Sequence, residues 1–244
     1  MSAAKDRILE RLRAARPAGR STAPFTHPNP RADDPLAAHS AWERQQEAHA
    51  AGAGDLAERF AEAQRAAGSQ VARVPTWAAL PAAVTPWIGA FGIRSAITGR
   101  EPRLEPLRTH LEALGVQVGR YDRPSYAERL PPDGRNEEQR QAVFSADLGI
   151  TTSAAAVAET GSIVLIPSPE EPRLLSLAPP LHLAIVERST LVATLADFIG
   201  TGTYQRNVPS QLVFVSAASR TADIELVLAM GVHGPKTLLV ALVG

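Results

Sequence analysis

The stretch LHLAIVE, residues 181–187, decides the fold. A strand with one wet face alternates apolar and polar residues, but Leu183 to Val186 has no polar interruption. TLLVALV at 237–243 and SIVLIP at 162–167 read the same way. Continuous Val, Leu and Ile are what a sheet buried on both faces requires.

Working outward, these runs alternate with helical patterns. Leu104, Leu107, Leu111 and Leu114 have helical spacing, Gly115 ends that helix, and VQVGRY at 116–121 follows as a strand. Residues 136–146 read as a helix feeding LGITTS at 148–153, and the short apolar segments QVARV at 70–74 and WIGAFGI at 87–93 precede them. Beyond LHLAIVE, the pattern predicts a helix from Ser189 to about Ile199, a strand QLVFVS at 211–216 and a helix starting near Thr221. Such alternation makes the sheet mainly parallel in a layered α/β fold, whose ligands bind beyond the carboxyl ends of the strands. No internal repeat is visible.

The chain divides by texture into residues 1–68, N-terminal helices and a Pro-rich arm, and residues 69–244, the α/β domain. Ile8, Leu9 and Leu12 share one face of a first short helix that Pro17 stops, and five prolines between 17 and 39 make an extended arm, a candidate for subunit contacts and homo-oligomerisation. Ser40 with Glu43 and Asp55 with Glu58 form capping-box patterns.

Composition narrows the chemistry. The 244 residues are 45% hydrophobic and 20% charged, an ordinary globular balance. Lys plus Arg equals Asp plus Glu at 25 each, so no overall field draws in nucleic acid. With no cysteine, thiol nucleophiles, thiolate zinc sites and cysteine-ligated iron–sulfur clusters are excluded. The six histidines lack metal-binding spacing, neither G-x-G-x-x-G nor a P-loop occurs, and no cofactor is expected. No apolar run is long enough for a membrane span and no leader is evident, so a cytoplasmic protein is expected.

Two clusters stand out. In QLVFVSAASRTADIE at 211–225, a helix capped by Thr221 would aim unpaired N–H groups at an anion, with Ser219, Arg220 and Thr221 beside it. Asp223 and Glu225 follow two apart, and GVHGP at 231–235 turns the chain through His233 and Gly234. In AETGS at 158–162, Gly161 permits close approach of backbone to a ligand and Glu159 is a candidate nucleophile or base, with Ser162 alongside. RLLSLAPPLH at 173–182 adds Ser176 and His182 around two prolines.

AETGS, SLAPPLH, SRTADIE and GVHGP, in that order, resemble the lactate-utilisation protein C family, also called the LutC/YkgG or LUD-domain family, most specifically over residues 145–244. Glu159, Gly161, Ser162, Ser176, Pro179, Ser219, Arg220, Thr221, Asp223, Glu225, His233 and Gly234 match its motifs. Ala217-Ala218 stands where members usually have Gly-Pro, and Pro172 where they have glycine, which implies narrower loops. The resemblance implies a three-layer α/β/α fold similar to the NagB/RpiA/CoA-transferase group. It also implies an accessory part in oxidising L-lactate to pyruvate, beside iron–sulfur partners, with a small anion bound. The alternative it leaves is a CoA-transferase-like or sugar-phosphate-isomerase-like enzyme, with Glu159 or His233 catalytic.

Overall fold

Six strands, numbered in chain order, build the central sheet: β1 (Gln70–Val74), β2 (Ser95–Thr98), β3 (Gln117–Arg120), β4 (Leu148–Thr152), β7 (Leu181–Glu187) and β12 (Thr237–Val243). In this computed structural model the described residues are 55–121, 135–200, 209, 211–222 and 228–244, all within the second of two units, Gln46–Gly244. The arm, the first helix, the Ser40 capping box, Asp223 and Glu225 lie outside them. The strand order is β1-β12-β7-β4-β2-β3, and every pairing is parallel.

LHLAIVE lies in the middle, hydrogen-bonded to β12 on one side and β4 on the other. Its side chains divide by parity, as a pleat requires. Leu183 and Ile185 join one core with Leu148, Ile150, Leu239 and Ala241, covered by Leu80 and Val84 of α2 (Leu80–Ala90) and Leu107 and Leu111 of α3 (Glu105–Ala113). Ala184 and Val186 join a second core with Leu238, Val240 and Leu242. That face is covered by Ala57 and Phe60 of α1 (Leu56–Ala66) and by a smaller sheet. Further along, Ile97 of β2 meets Val143 of α4 (Arg135–Ser145). The fold is thus α/β, with a parallel sheet between two outer layers.

The smaller sheet has the order β8-β5-β6-β9, from β5 (Ala155–Val157), β6 (Ser162–Leu165), β8 (Leu191–Val192) and β9 (Val213–Val215). SIVLIP therefore forms an antiparallel strand in this second sheet, between β5 and β9. Both of its faces are buried all the same: Ile163 packs toward α1, and Val164 toward Phe198.

Two expected helices are corrected. The one expected from Ser189 begins only at Leu195, as α5 (Leu195–Gly200), because Leu191 and Val192 pair with β5 first. Thr194 and Asp197 then make a capping box, Thr194 N–H to Asp197 Oδ2 at 2.8 Å and Asp197 N–H to Thr194 Oγ1 at 3.1 Å. The helix expected from Thr221 is a strand. β10 (Arg220–Ala222) pairs antiparallel with β11 (Leu228–Met230), in register Arg220 with Met230 and Ala222 with Leu228. The ladder is closed at its open end by Gly231 N–H to Ser219 O at 2.9 Å, where Gly231 turns with φ +74°. Cross-strand bonds satisfy the backbone that a helix would have satisfied locally.

Candidate functional site

Helix α1 organises the residues that the motifs single out. Asp55 is its N-cap, accepting from Ala57 N–H at 3.1 Å, as the capping pattern predicts. Glu58 turns outward to Arg73 at 2.9 Å and Arg65 at 3.3 Å instead of reaching back. At the other end, Gln64 is wholly buried and its Nε2 donates to Gly161 O and, at 3.5 Å, to Ser216 O. Arg220 Nη2 donates to Ala67 O at 2.8 Å.

Gly161, with φ +66°, sits so close to α1 that a Cβ there would lie 3.0 Å from Ala63 Cβ and 3.2 Å from Gln64 N. The expected close approach of backbone is real, and its object is the helix. Thr160 Oγ1, Ser162 Oγ and Ser216 Oγ form a chain of hydroxyls at 2.7 Å steps. Ser219 N–H donates to Pro235 O at 2.8 Å, and Gly234 packs where a Cβ would be 3.3 Å from Ser219 Cβ.

The structure thus links Gly161, Ser162, Ser219, Arg220 and Gly234 around the end of α1 and the start of β12. Glu159 is exposed at the tip between β5 and β6, its N–H on Ala193 O, and His233 is exposed in the GVHGP turn. Ser176 lies apart and buried, its Oγ bonded to Arg173 O at 3.0 Å in a 3-10 turn against Gly149 of β4. Thr221 lies in β10.

This cluster lies at the amino edge of the main sheet, not the carboxyl edge that the fold class led one to expect. α1 ends where β1 begins, and Lys236 N–H, just before β12, bonds Pro180 O just before β7. Arg220 meets a helix C-terminus, whose partial negative charge attracts a guanidinium, and Thr221, expected to start a helix, lies in a strand.

The carboxyl edge holds a second constellation, which the motifs did not indicate. Glu171 accepts from Thr152 N–H and, at 2.6 Å, from Thr152 Oγ1, at the end of β4. Burial pushes its carboxyl up to about 6, against the two bonds from Thr152, which pull it down. Arg103 bonds Glu101 at 2.7 Å and Glu187, the last residue of β7, at 2.5 Å, and lies 4.6 Å from the Trp77 ring. Arg100 N–H, just past β2, bonds Glu170 O at 2.7 Å. Only the pairing of strand ends brings these distant positions together, so no local pattern could have announced them.

Elsewhere on that edge, a cavity of about 170 Å³ is lined by Arg73, Arg188, Leu242 and neighbours. Asp55 holds both arginines, at 3.8 and 3.1 Å. In the central sheet His182 is fully buried and bonds Thr151 Oγ1 at 2.8 Å; burial pushes its pKa down to about 4. Among the described residues there is no group of three or more metal-ligating side chains and no helix long and apolar enough to cross a membrane.

A parallel α/β sheet backed by a small mixed sheet, with motif loops gathered on one helix end, defines the class. The family model described as LUD domain matches residues 57–243, and the chain belongs to that family. It is 30% identical over 188 residues to an uncharacterized protein of Neisseria meningitidis serogroup B, covering 71% of this chain and 78% of that one. It is 43% identical over 93 residues to lactate utilization protein C of Shouchella clausii, covering 37% of this chain and 41% of that protein. The namesake from Halalkalibacterium halodurans is 33% identical, with 59% and 60% covered, so the matches span about two to three fifths of these two relatives. Among solved structures, a DUF162 family protein from Deinococcus radiodurans superposes with a TM-score of 0.56 at 25% identity, covering 78% of this chain and 96% of that one.

Proposed function

We propose that this chain serves lactate utilisation, as a cytoplasmic, non-redox component of a system that oxidises L-lactate to pyruvate beside iron–sulfur partner proteins. Removing two electrons from lactate requires a carrier. A chain with no cysteine among its 244 residues cannot supply a cysteine-ligated cluster, which is the observation that carries the division of labour. Relatives named lactate utilization protein C support the substrate.

In this reading a small anion binds at the amino-edge cluster. Arg220 is exposed, and Ala67 O fixes one of its nitrogens, leaving the others to meet a carboxylate. Ser216, exposed at the end of the hydroxyl chain, adds a donor beside it. The residues from Glu159 to Ser162 and from Ser219 to Glu225, with His233 and Gly234, supply the rest of the site. Affinity purification of the tagged full chain from its native host grown on L-lactate tests the partnership. Recovery of iron–sulfur proteins in stoichiometric yield is expected; their absence from the eluate contradicts it.

A further inference from the structure

Chain routing marks one position on the main sheet. β2 leads into α3 on one face, whereas its neighbour β4 leads into β5 on the other, so the two carboxyl ends diverge. Open α/β sheets bind ligands at such a divergence. Glu170 closes over Gly99 at the end of β2, and beside it Trp77, Glu101, Arg103, Thr152, Glu171 and Glu187 are joined by contacts with one another.

Among the described residues, three donors at this edge have no protein acceptor. Trp77 Nε1 is buried without a partner, as is Ser153 Oγ at the end of β4. An indole N–H can only donate, so its match is an acceptor from elsewhere. Arg103 commits Nε to Glu101 and Nη1 to Glu187, which leaves Nη2 without a bond among the described residues.

The geometry points to a binding site for a small carboxylate or carbonyl compound among these side chains, with Trp77 Nε1 and Arg103 Nη2 donating to its oxygens and Glu171 sharing a proton with it. The site lies at the sheet edge opposite Arg220 and is independent of the reading above.

Charge sets its condition of entry. Glu101 and Glu187 already outnumber Arg103. Arg103 already faces two carboxylates, so an incoming anion enters with Glu171 protonated. Burial raises the proton affinity of Glu171, the two bonds from Thr152 lower it by less, and Glu101 and Arg103 add smaller effects of opposite sign. Binding is then coupled to proton uptake.

Isothermal titration of the full chain with pyruvate, and separately with L-lactate, from about pH 5.5 to about pH 8 tests this. Expected is saturable binding of at least one probe, with an affinity that falls up to tenfold per pH unit above about pH 6. Glu171→Gln, a permanently neutral isostere, is expected to bind with no pH dependence over that range. Trp77→Phe keeps the ring under Arg103 but loses the N–H, and is expected to bind at least tenfold more weakly, with an unchanged circular dichroism spectrum. Arg220→Gln is expected to retain the binding component that falls with pH and depends on Trp77. The proposal is overturned if neither probe binds the wild-type chain, if Trp77→Phe binds normally, or if Glu171→Gln keeps the wild-type pH dependence. Loss of that component in Arg220→Gln, with Trp77→Phe unaffected, also overturns it and leaves the amino-edge anion site standing.

Discussion

Replacing Glu171 by Gln tests the carboxyl-edge constellation without reference to any ligand. The folded carboxyl titrates near 6, against an ordinary value of 4.5, because burial disfavours its charge. A raised acid binds more protons folded than unfolded between those values, so stability is greatest below about pH 4.5 and declines as pH rises toward 6. The difference of about 1.5 units corresponds to about 2 kcal/mol, or about 1 kcal/mol once partial solvent access is allowed for. Gln keeps the acceptor for Thr152 N–H and offers an amide to its hydroxyl, so the packing survives. At pH 7 the variant should be more stable by about 1–2 kcal/mol, a rise of about 2–8 °C in Tm for a domain of this size. Urea titrations at pH 4.5 and pH 7 would measure it. Equal stability of the two proteins at pH 7, or a larger advantage for Gln at pH 4.5 than at pH 7, would show that burial does not control this group.

Other positions give independent outcomes. Gly161→Ala adds a methyl group against Ala63 at a positive φ and should cost about 2–4 kcal/mol in urea unfolding; wild-type stability would mean the loop does not press on α1. Phe60→Ala should cost about 3–5 kcal/mol by the same method, because the ring fills the core between α1 and the two sheets; under about 1 kcal/mol would remove α1 from that core. His182, with its pKa pushed down to about 4, loses stability as pH falls from about 6.5 toward 4, by up to about 3 kcal/mol. His182→Leu should flatten that limb of the stability profile, and an unchanged slope would refute the assignment. Arg220→Ala removes one exposed bond to Ala67 O and should change stability by less than about 1 kcal/mol, so that any effect on ligand binding is read separately.

Runs such as LHLAIVE and TLLVALV announced a sheet covered on both faces, because burial of every side chain leaves no polar parity to read. The same property hid which sheet each run joins. SIVLIP is as apolar as LHLAIVE, yet it pairs antiparallel in the smaller sheet, since its partners are set by the hairpin through Gly161 and not by composition. Thr221 illustrates another limit: a cap residue followed by acids matches a helix start, but the return of the chain at Gly231 pairs it as a strand. The candidate site divides likewise. Gly161, Ser162, Ser219, Arg220 and Gly234 are recognisable as motifs and do come together, whereas Trp77, Arg103, Glu171 and Glu187 carry no local signature and meet only through strand order.

Growth decides the functional reading most directly. A chromosomal deletion of this chain in its native host, supplied with L-lactate or with pyruvate as sole carbon source, separates oxidation of lactate from everything downstream. Growth is expected to fail on L-lactate, to persist on pyruvate, and to return on L-lactate when the wild-type chain is supplied on a plasmid. Undiminished growth of the deletion strain on L-lactate would contradict a role in lactate utilisation.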